Sequence, residues 1–189
     1  MKKIILAAAL LVALAACGDK SNSSNNDSSG VMREIERAEQ KDAAAHQQAA
    51  NEAQTFLAQA RARPGAIVRP SGLVMEFTHK GANQSLPHPG PQSVVLVHYE
   101  GKLANGDTFD SSLQRGQPAQ FPLDQVVPGF SEAIQQMRPG DEVIAYFPPE
   151  LGYGAQGQPP VIPPNAPLQF RIQLLAFQGA NGHIVQAPR

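Results

Sequence analysis

Five histidines, at positions 46, 79, 88, 98 and 183, are the first side chains to test for chemistry. None stands in an H-x-H or H-E-x-x-H frame, the spacings that bring two imidazoles onto one zinc ion. His98, Asp110 and Ser111 are the residue types of a nucleophilic triad, but no G-x-S-x-G strand–turn–helix context surrounds the serine. Neither a Walker A loop nor a dinucleotide glycine fingerprint occurs. The one cysteine excludes an internal disulfide and a Cys-cluster metal site, and no cofactor is implied. What remains is a series of aromatic and apolar residues beside turns: Tyr99, Phe109-Asp110-Ser111-Ser112, Phe121, Val126-Val127-Pro128-Gly129-Phe130, Gly152-Tyr153-Gly154, Val161-Ile162-Pro163-Pro164 and Phe170. Brought together they would form an apolar cup with two phenolic hydroxyls and one carboxylate, the general anatomy of a ligand pocket. Periodicity alone does not show that they converge, and residues of these types taken singly are more often ordinary core.

The elements that would have to position them can be read from pattern. Leu73, Met75 and Phe77 alternate with Val74, Glu76 and Thr78, after the turn residues Pro70-Ser71-Gly72. Val94 to Tyr99 is strongly β-prone, and Asn105-Gly106 marks a hairpin between Lys102-Leu103 and Thr108-Phe109. Gly81 to Gln92 is a Pro/Gly loop. Ser131 to Met137 is a brief helical stretch stopped by Pro139-Gly140. Glu142 to Phe147 and Pro167 to Phe177 are further strands. In the last, Leu168, Phe170, Ile172 and Leu174 alternate with polar residues, as in an antiparallel sheet with one wet face. The sum is about five strands and one short helix, an α+β class.

Five of these segments stand in the order and approximate spacing of FK506-binding-protein (FKBP) type peptidyl-prolyl isomerases. They are Val97-His98-Tyr99-Glu100-Gly101, Gly106-Asp107-Thr108-Phe109-Asp110-Ser111-Ser112, Val126-Val127-Pro128-Gly129-Phe130, Leu151-Gly152-Tyr153-Gly154 and Ile162-Pro163-Pro164-Asn165. The Arg63-Pro64-Gly65 and Pro70-Ser71-Gly72-Leu73 stretches resemble the bacterial branch that includes the macrophage infectivity potentiators. The resemblance covers residues 69–178 and implies an antiparallel five-stranded sheet wrapped around one short helix. It implies catalytic positions at Tyr99, Phe109, Asp110, Val127, Phe130, Tyr153 and Phe170, with Phe130 as the floor. Substrate binding falls to Arg115, Phe121, Val126, Val161 and Ile162. The Val127 N–H and the Tyr153 hydroxyl would meet substrate carbonyls. The sequence departs from the family pattern at Phe130, where Trp is common, at Ala119, where many members carry an aromatic, at Gln158, often His, and at Gly152, usually Ala.

The implied reaction needs no nucleophile. Rotation about an X–Pro amide crosses about 18–20 kcal/mol without breaking a bond. An apolar cup favours the twisted, less polar amide over the planar resonance form. The alternative is a binding module in which the same pocket holds proline-containing or unfolded segments without useful turnover.

The N-terminal third differs in kind. Lys2 and Lys3 precede thirteen apolar residues, Ile4 to Ala16, too short to span a bilayer and suited to a signal peptide over residues 1–16. Leu14-Ala15-Ala16-Cys17 resembles a bacterial lipobox, so Cys17 is expected to carry lipid and anchor the chain to a membrane. The other reading is an ordinary signal with a chance cysteine. By resemblance to enterobacterial lipoprotein sorting, Gly18 rather than Asp after Cys17 implies the outer membrane, facing the periplasm or the cell surface. Residues 17–30 hold no apolar residue after the cysteine and read as a flexible tether. Residues 31–63 contain no Pro or Gly and read as one helix about 50 Å long. Its stripe, Ile35, Ala38, Ala45, Ala49, Ala53, Phe56 and Ala60, is either the dry side of a solvated stalk or a face that pairs two copies of the chain. Residues 179–189 read as a C-terminal tail. All 17 prolines lie at or after Pro64, which fits helix before and turn-rich sheet after. A net charge of -1 without basic blocks excludes nucleic acid as a partner held by counterion release.

Overall fold

A computed structural model describes residues 27–187 of the chain. The signal segment, Cys17 and residues 18–26 of the expected tether lie outside the described residues. Two units divide the chain, residues 1–40 and 41–189.

The proline-free stretch forms a single helix, α1, Asp27–Arg61. It starts four residues before the expected position 31, so Asp27-Ser28-Ser29-Gly30 is helix rather than tether. Asp and Ser are among the types favoured at a helix start, and one glycine costs only about 1 kcal/mol against alanine. In the first unit Val31, Met32 and Ile35 are each about half exposed (52%, 57% and 46%). In the second unit the last turns of α1 bury Leu57 and Ala60 against Val74 and Tyr146, with the Phe56 ring edge-on to Tyr146 at 5.7 Å. The expected stripe is therefore buried only toward its end. Leu57, which lay outside it, carries more of the contact than the alanines can.

The sheet is antiparallel throughout. Its strands are β1 Ile67–Val68, β2 Val74–His79, β3 Val94–Leu103, β4 Thr108–Ser111, β5 Ala119–Pro122, β6 Glu142–Phe147, β7 Leu168–Gln178 and β8 Ile184–Gln186. The order is β1-β2-β6-β7-β3-β4, with β5 also pairing β3 and β8 pairing β7. The five expected strands are β2, β3, β4, β6 and β7. The additional three are pieces of two to four residues, too short to show a period. β8 also corrects the reading of 179–189 as a tail, because Ile184–Gln186 adds to the sheet.

A second helix, α2, runs Pro128–Ile134. It begins three residues before the expected Ser131 because Pro128 sits at the first helical turn, where a fixed φ and a missing N–H cost nothing. Residues after Ile134 turn rather than continue it. Phe130, Ala133 and Ile134 on α2 meet the inward residues of β3 and β7, Val95, Val97, Tyr99, Phe170, Ile172 and Leu174, in one core. β7 alternates as expected. β2 does not: Leu73, Val74 and Met75 are all buried because α1 covers the opposite face at Val74.

Candidate active site

β3 and β7 set the frame. Their register pairs Tyr99 with Ile172 and Gly101 with Phe170. Tyr99 and Phe170 therefore point from adjacent strands toward α2, where Phe130 rises to meet them at ring-centre distances of 5.9 and 5.4 Å. Phe121 from β5 stands 5.6 Å from Tyr99 and 6.0 Å from Phe130. Nearly all these pairs are edge-to-face, the arrangement ring quadrupoles prefer. Below them Phe147 is fully buried and stacks on Phe170 at 5.0 Å.

β4 supplies the opposite wall through an irregularity. Gly101 pairs with Asp110 and Lys102 with Thr108, which leaves Phe109 as an extra residue, a β-bulge. In a regular strand neighbours face opposite sides. Here Phe109 and Asp110, consecutive in sequence, both line the same pocket. The Phe109 ring lies 5.5 Å from Phe170 at an interplanar angle of 82°.

The result is a hollow of about 290 Å³ lined by Tyr99, Phe109, Asp110, Phe121, Gln125, Val126, Val127, Phe130, Tyr153 and Phe170. Val126 and Val127 come from the turn that leads into α2, and Tyr153 from the loop after the 3-10 turn Pro149–Leu151. Among the described residues nothing accepts a hydrogen bond from the Val127 N–H, and nothing pairs with the Tyr153 hydroxyl. Burial, and then the charge of Asp110, push the Tyr153 phenol above its ordinary pKa, so it stays a donor.

Tyr99 is in the opposite condition. Its hydroxyl donates to Asp110 and accepts from Arg115 at 2.9 Å, and Arg115 is also paired with Asp110. Burial raises the Tyr99 pKa, with the Asp110 hydrogen bond adding to it. At Asp110 burial opposes ionisation, but the hydrogen bonds from Tyr99 and Arg115 outweigh it and hold the carboxyl below its usual range. Behind this trio, the fully buried Ser112 accepts the Tyr99 N–H at 2.8 Å and fixes the strand where the ring departs.

The residues expected at the site do not all arrive there. Arg115 does not line the hollow and reaches it only through Asp110 and Tyr99. Ile162 is buried in the core at 2% exposure, and Val161 is 52% exposed outside the lining. The turn between Gln158 and Ile162, closed by N–H to carbonyl bonds of 2.8 and 2.9 Å, turns Ile162 inward and its neighbour out. Gln125 lines the pocket and was not expected. Its position directly before Val126-Val127 is the signal for it in the sequence. His98 and Ser111 do not form a triad with Asp110. His98 instead meets Ser112 at 3.2 Å. Among the described residues no group of three His, Cys, Asp or Glu could hold a metal, and no helix is long and apolar enough to cross a membrane.

Comparisons with known proteins give the family and the fold. The family described as FKBP-type peptidyl-prolyl cis-trans isomerase matches residues 87–175. The peptidyl-prolyl cis-trans isomerase Mip of Coxiella burnetii is 42% identical over 129 residues, 68% of this chain and 55% of that protein, so the chain spans about half the length of that relative. The macrophage infectivity potentiator of Trypanosoma cruzi is 36% identical over 151 residues, 77% of this chain and 76% of that one. The crystal structure of FkpA from Escherichia coli superposes with a TM-score of 0.65 and 30% identity, covering 89% of this chain and 76% of the other. With the bulged wall, the aromatic floor and the sequence shared along most of the sheet, the chain belongs to the FKBP-type peptidyl-prolyl cis-trans isomerase family.

Proposed function

We propose that this protein is a peptidyl-prolyl cis–trans isomerase that speeds X–Pro rotation in proline-containing polypeptides of the bacterial cell envelope. One observation carries the reading: Tyr99, Phe109, Phe130, Tyr153 and Phe170 close around one apolar hollow that also holds a hydroxyl and a backbone N–H without partners among the described residues. A pyrrolidine ring rests on Phe130, walled by the Tyr99, Phe109 and Phe170 rings. The carbonyl beside it meets the Val127 N–H, and the Tyr153 hydroxyl meets a second carbonyl. Planar amide resonance is favoured by water and is weakened in a dry cup, while the twisted form loses little. Each 1.4 kcal/mol of difference is about tenfold in rate. No proton moves between protein and substrate, so Asp110 acts by holding Tyr99 and Arg115 rather than as an acid or base.

The N-terminal segment supports the place of work. Lipid on Cys17 holds the chain to a membrane, with Gly18 favouring the outer one, and the helix within residues 31–63 pairs two copies through its exposed early turns at Val31, Met32 and Ile35. A protease-coupled assay on an Ala-X-Pro-Phe peptide series tests the activity. Acceleration at nanomolar to micromolar protein is the expected result; none at micromolar protein ends this reading.

A further inference from the structure

Gly101 is the one inward position of β3 beside the pocket that carries no side chain, and its backbone does not require glycine. It has no positive φ and pairs with both β4 and β7. The requirement is one of space. A Cβ built there would lie 2.6 and 2.9 Å from Cζ and Cε2 of Phe109 and 2.9 Å from Cε1 of Phe170. All three distances are shorter than real Cβ contacts.

The bulge at Phe109 turns that ring toward the pocket, but a turned ring must still cross the backbone of β3 to reach Phe170. It crosses where the side chain of residue 101 would stand. Of the two rings, Phe170 has the less room to yield: it is 5% exposed, stacked on Phe147 at 5.0 Å and edge-on to Phe130 at 5.4 Å. Phe109 is half-buried on an edge strand and can swing outward. A methyl at residue 101 would therefore displace Phe109 and remove one wall.

We infer that Gly101 is a positioning residue of the site: its missing side chain is the seat on which Phe109 lies against Phe170. The kinetic part of the inference rests on the isomerase reading, and the seat itself does not. The test uses the full chain with Gly101→Ala, Phe109→Leu and the double substitution. In the unaltered protein the Phe109 ring protons carry the upfield NMR shift of an edge-to-face pair. Gly101→Ala moves them toward unstructured values and lowers kcat/KM roughly 10- to 100-fold. In the Phe109→Leu background the same glycine substitution costs clearly less than in the unaltered protein, because the two act as one unit and only the 2.9 Å approach to Phe170 remains. Unchanged ring shifts, or losses that simply multiply, overturn the assignment. If Gly101→Ala alone does not fold, refolding of the double variant supports the seat. Failure of both shows that something other than Phe109 excludes the side chain, and overturns it. If the unaltered protein does not isomerise X–Pro bonds, the isomerase reading falls while the ring shifts still judge the seat.

Discussion

Tyr99 and Tyr153 line the same pocket with hydroxyls in opposite states of hydrogen bonding. The first is filled by Asp110 and Arg115; the second has no partner among the described residues. Tyr153→Phe should therefore remove a donor to substrate and lower kcat/KM by about two- to tenfold, the worth of a neutral hydrogen bond. Tyr99→Phe removes no substrate contact and should cost mainly stability, about 1 kcal/mol; peptide assays beside thermal melts separate the two. Acid dependence follows from Asp110. Its folded pKa is depressed, so its contribution is fully present above the unfolded value of about 3.9 and is lost as pH falls through the lower folded one. The melting-temperature gap between the unaltered protein and Asp110→Asn should close below about pH 4. The phenols shift the other way: their stabilisation is present below about pH 10 and is lost only as pH rises through their raised values. Because no lining group titrates between about pH 5 and 9, kcat/KM should be flat there. At this scale the residue types were legible in the sequence, since the family motifs fix them. Their convergence was implied by the resemblance and not by periodicity, and the Gln158–Ile162 turn that takes Val161 and Ile162 out of the hollow's lining leaves no pattern in the sequence.

Between elements, irregular joints matter more than regular strands. The Gly81 to Gln92 stretch read from sequence only as a Pro/Gly loop. Its anchor is Asp141, fully buried, which accepts the N–H groups of Gly81 at 2.7 Å and Arg138 at 2.9 Å and the Gln84 amide at 3.0 Å. Arg138 Nε donates back to the Leu86 carbonyl at 2.8 Å. Asp141→Ala would leave buried donors without an acceptor and should destabilise the fold by about 3 kcal/mol in urea melts, with the active site intact. Asp141→Asn should lose less than the alanine, since an amide oxygen still accepts. The strongly patterned strands β3, β6 and β7 were legible. β1, β5 and β8 were not, because two to four residues cannot display an alternation and tertiary pairing alone makes them strand. The bulge at Phe109 was equally hidden: a bulge is an offset between two strands, and one strand's sequence does not contain it.

Taken whole, the chain assigns different work to the two ends of one helix. Residues 53–60 of α1 bury Leu57 and Ala60 on the sheet, while Val31, Met32 and Ile35 remain exposed. Sequence reasoning found the helix and its Pro-Gly stop. It did not find the docking, because the stripe was counted in alanines and the anchor is Leu57. Deleting residues up to Gln40 keeps the docked turns and removes the exposed apolar ones. Sedimentation of the unlipidated chain should give the mass of two copies, and of the shortened chain the mass of one; a single copy in both cases would rule out pairing. The Arg115–Asp110 pair has a reach beyond its own geometry. A carboxylate already matched by a guanidinium leaves the pocket mouth without net charge, and the remaining lining residues are neutral. Capture of an uncharged segment then owes nothing to long-range attraction. Shortening the Debye length from roughly 30 Å to 3 Å with added salt should leave turnover of neutral peptides unchanged.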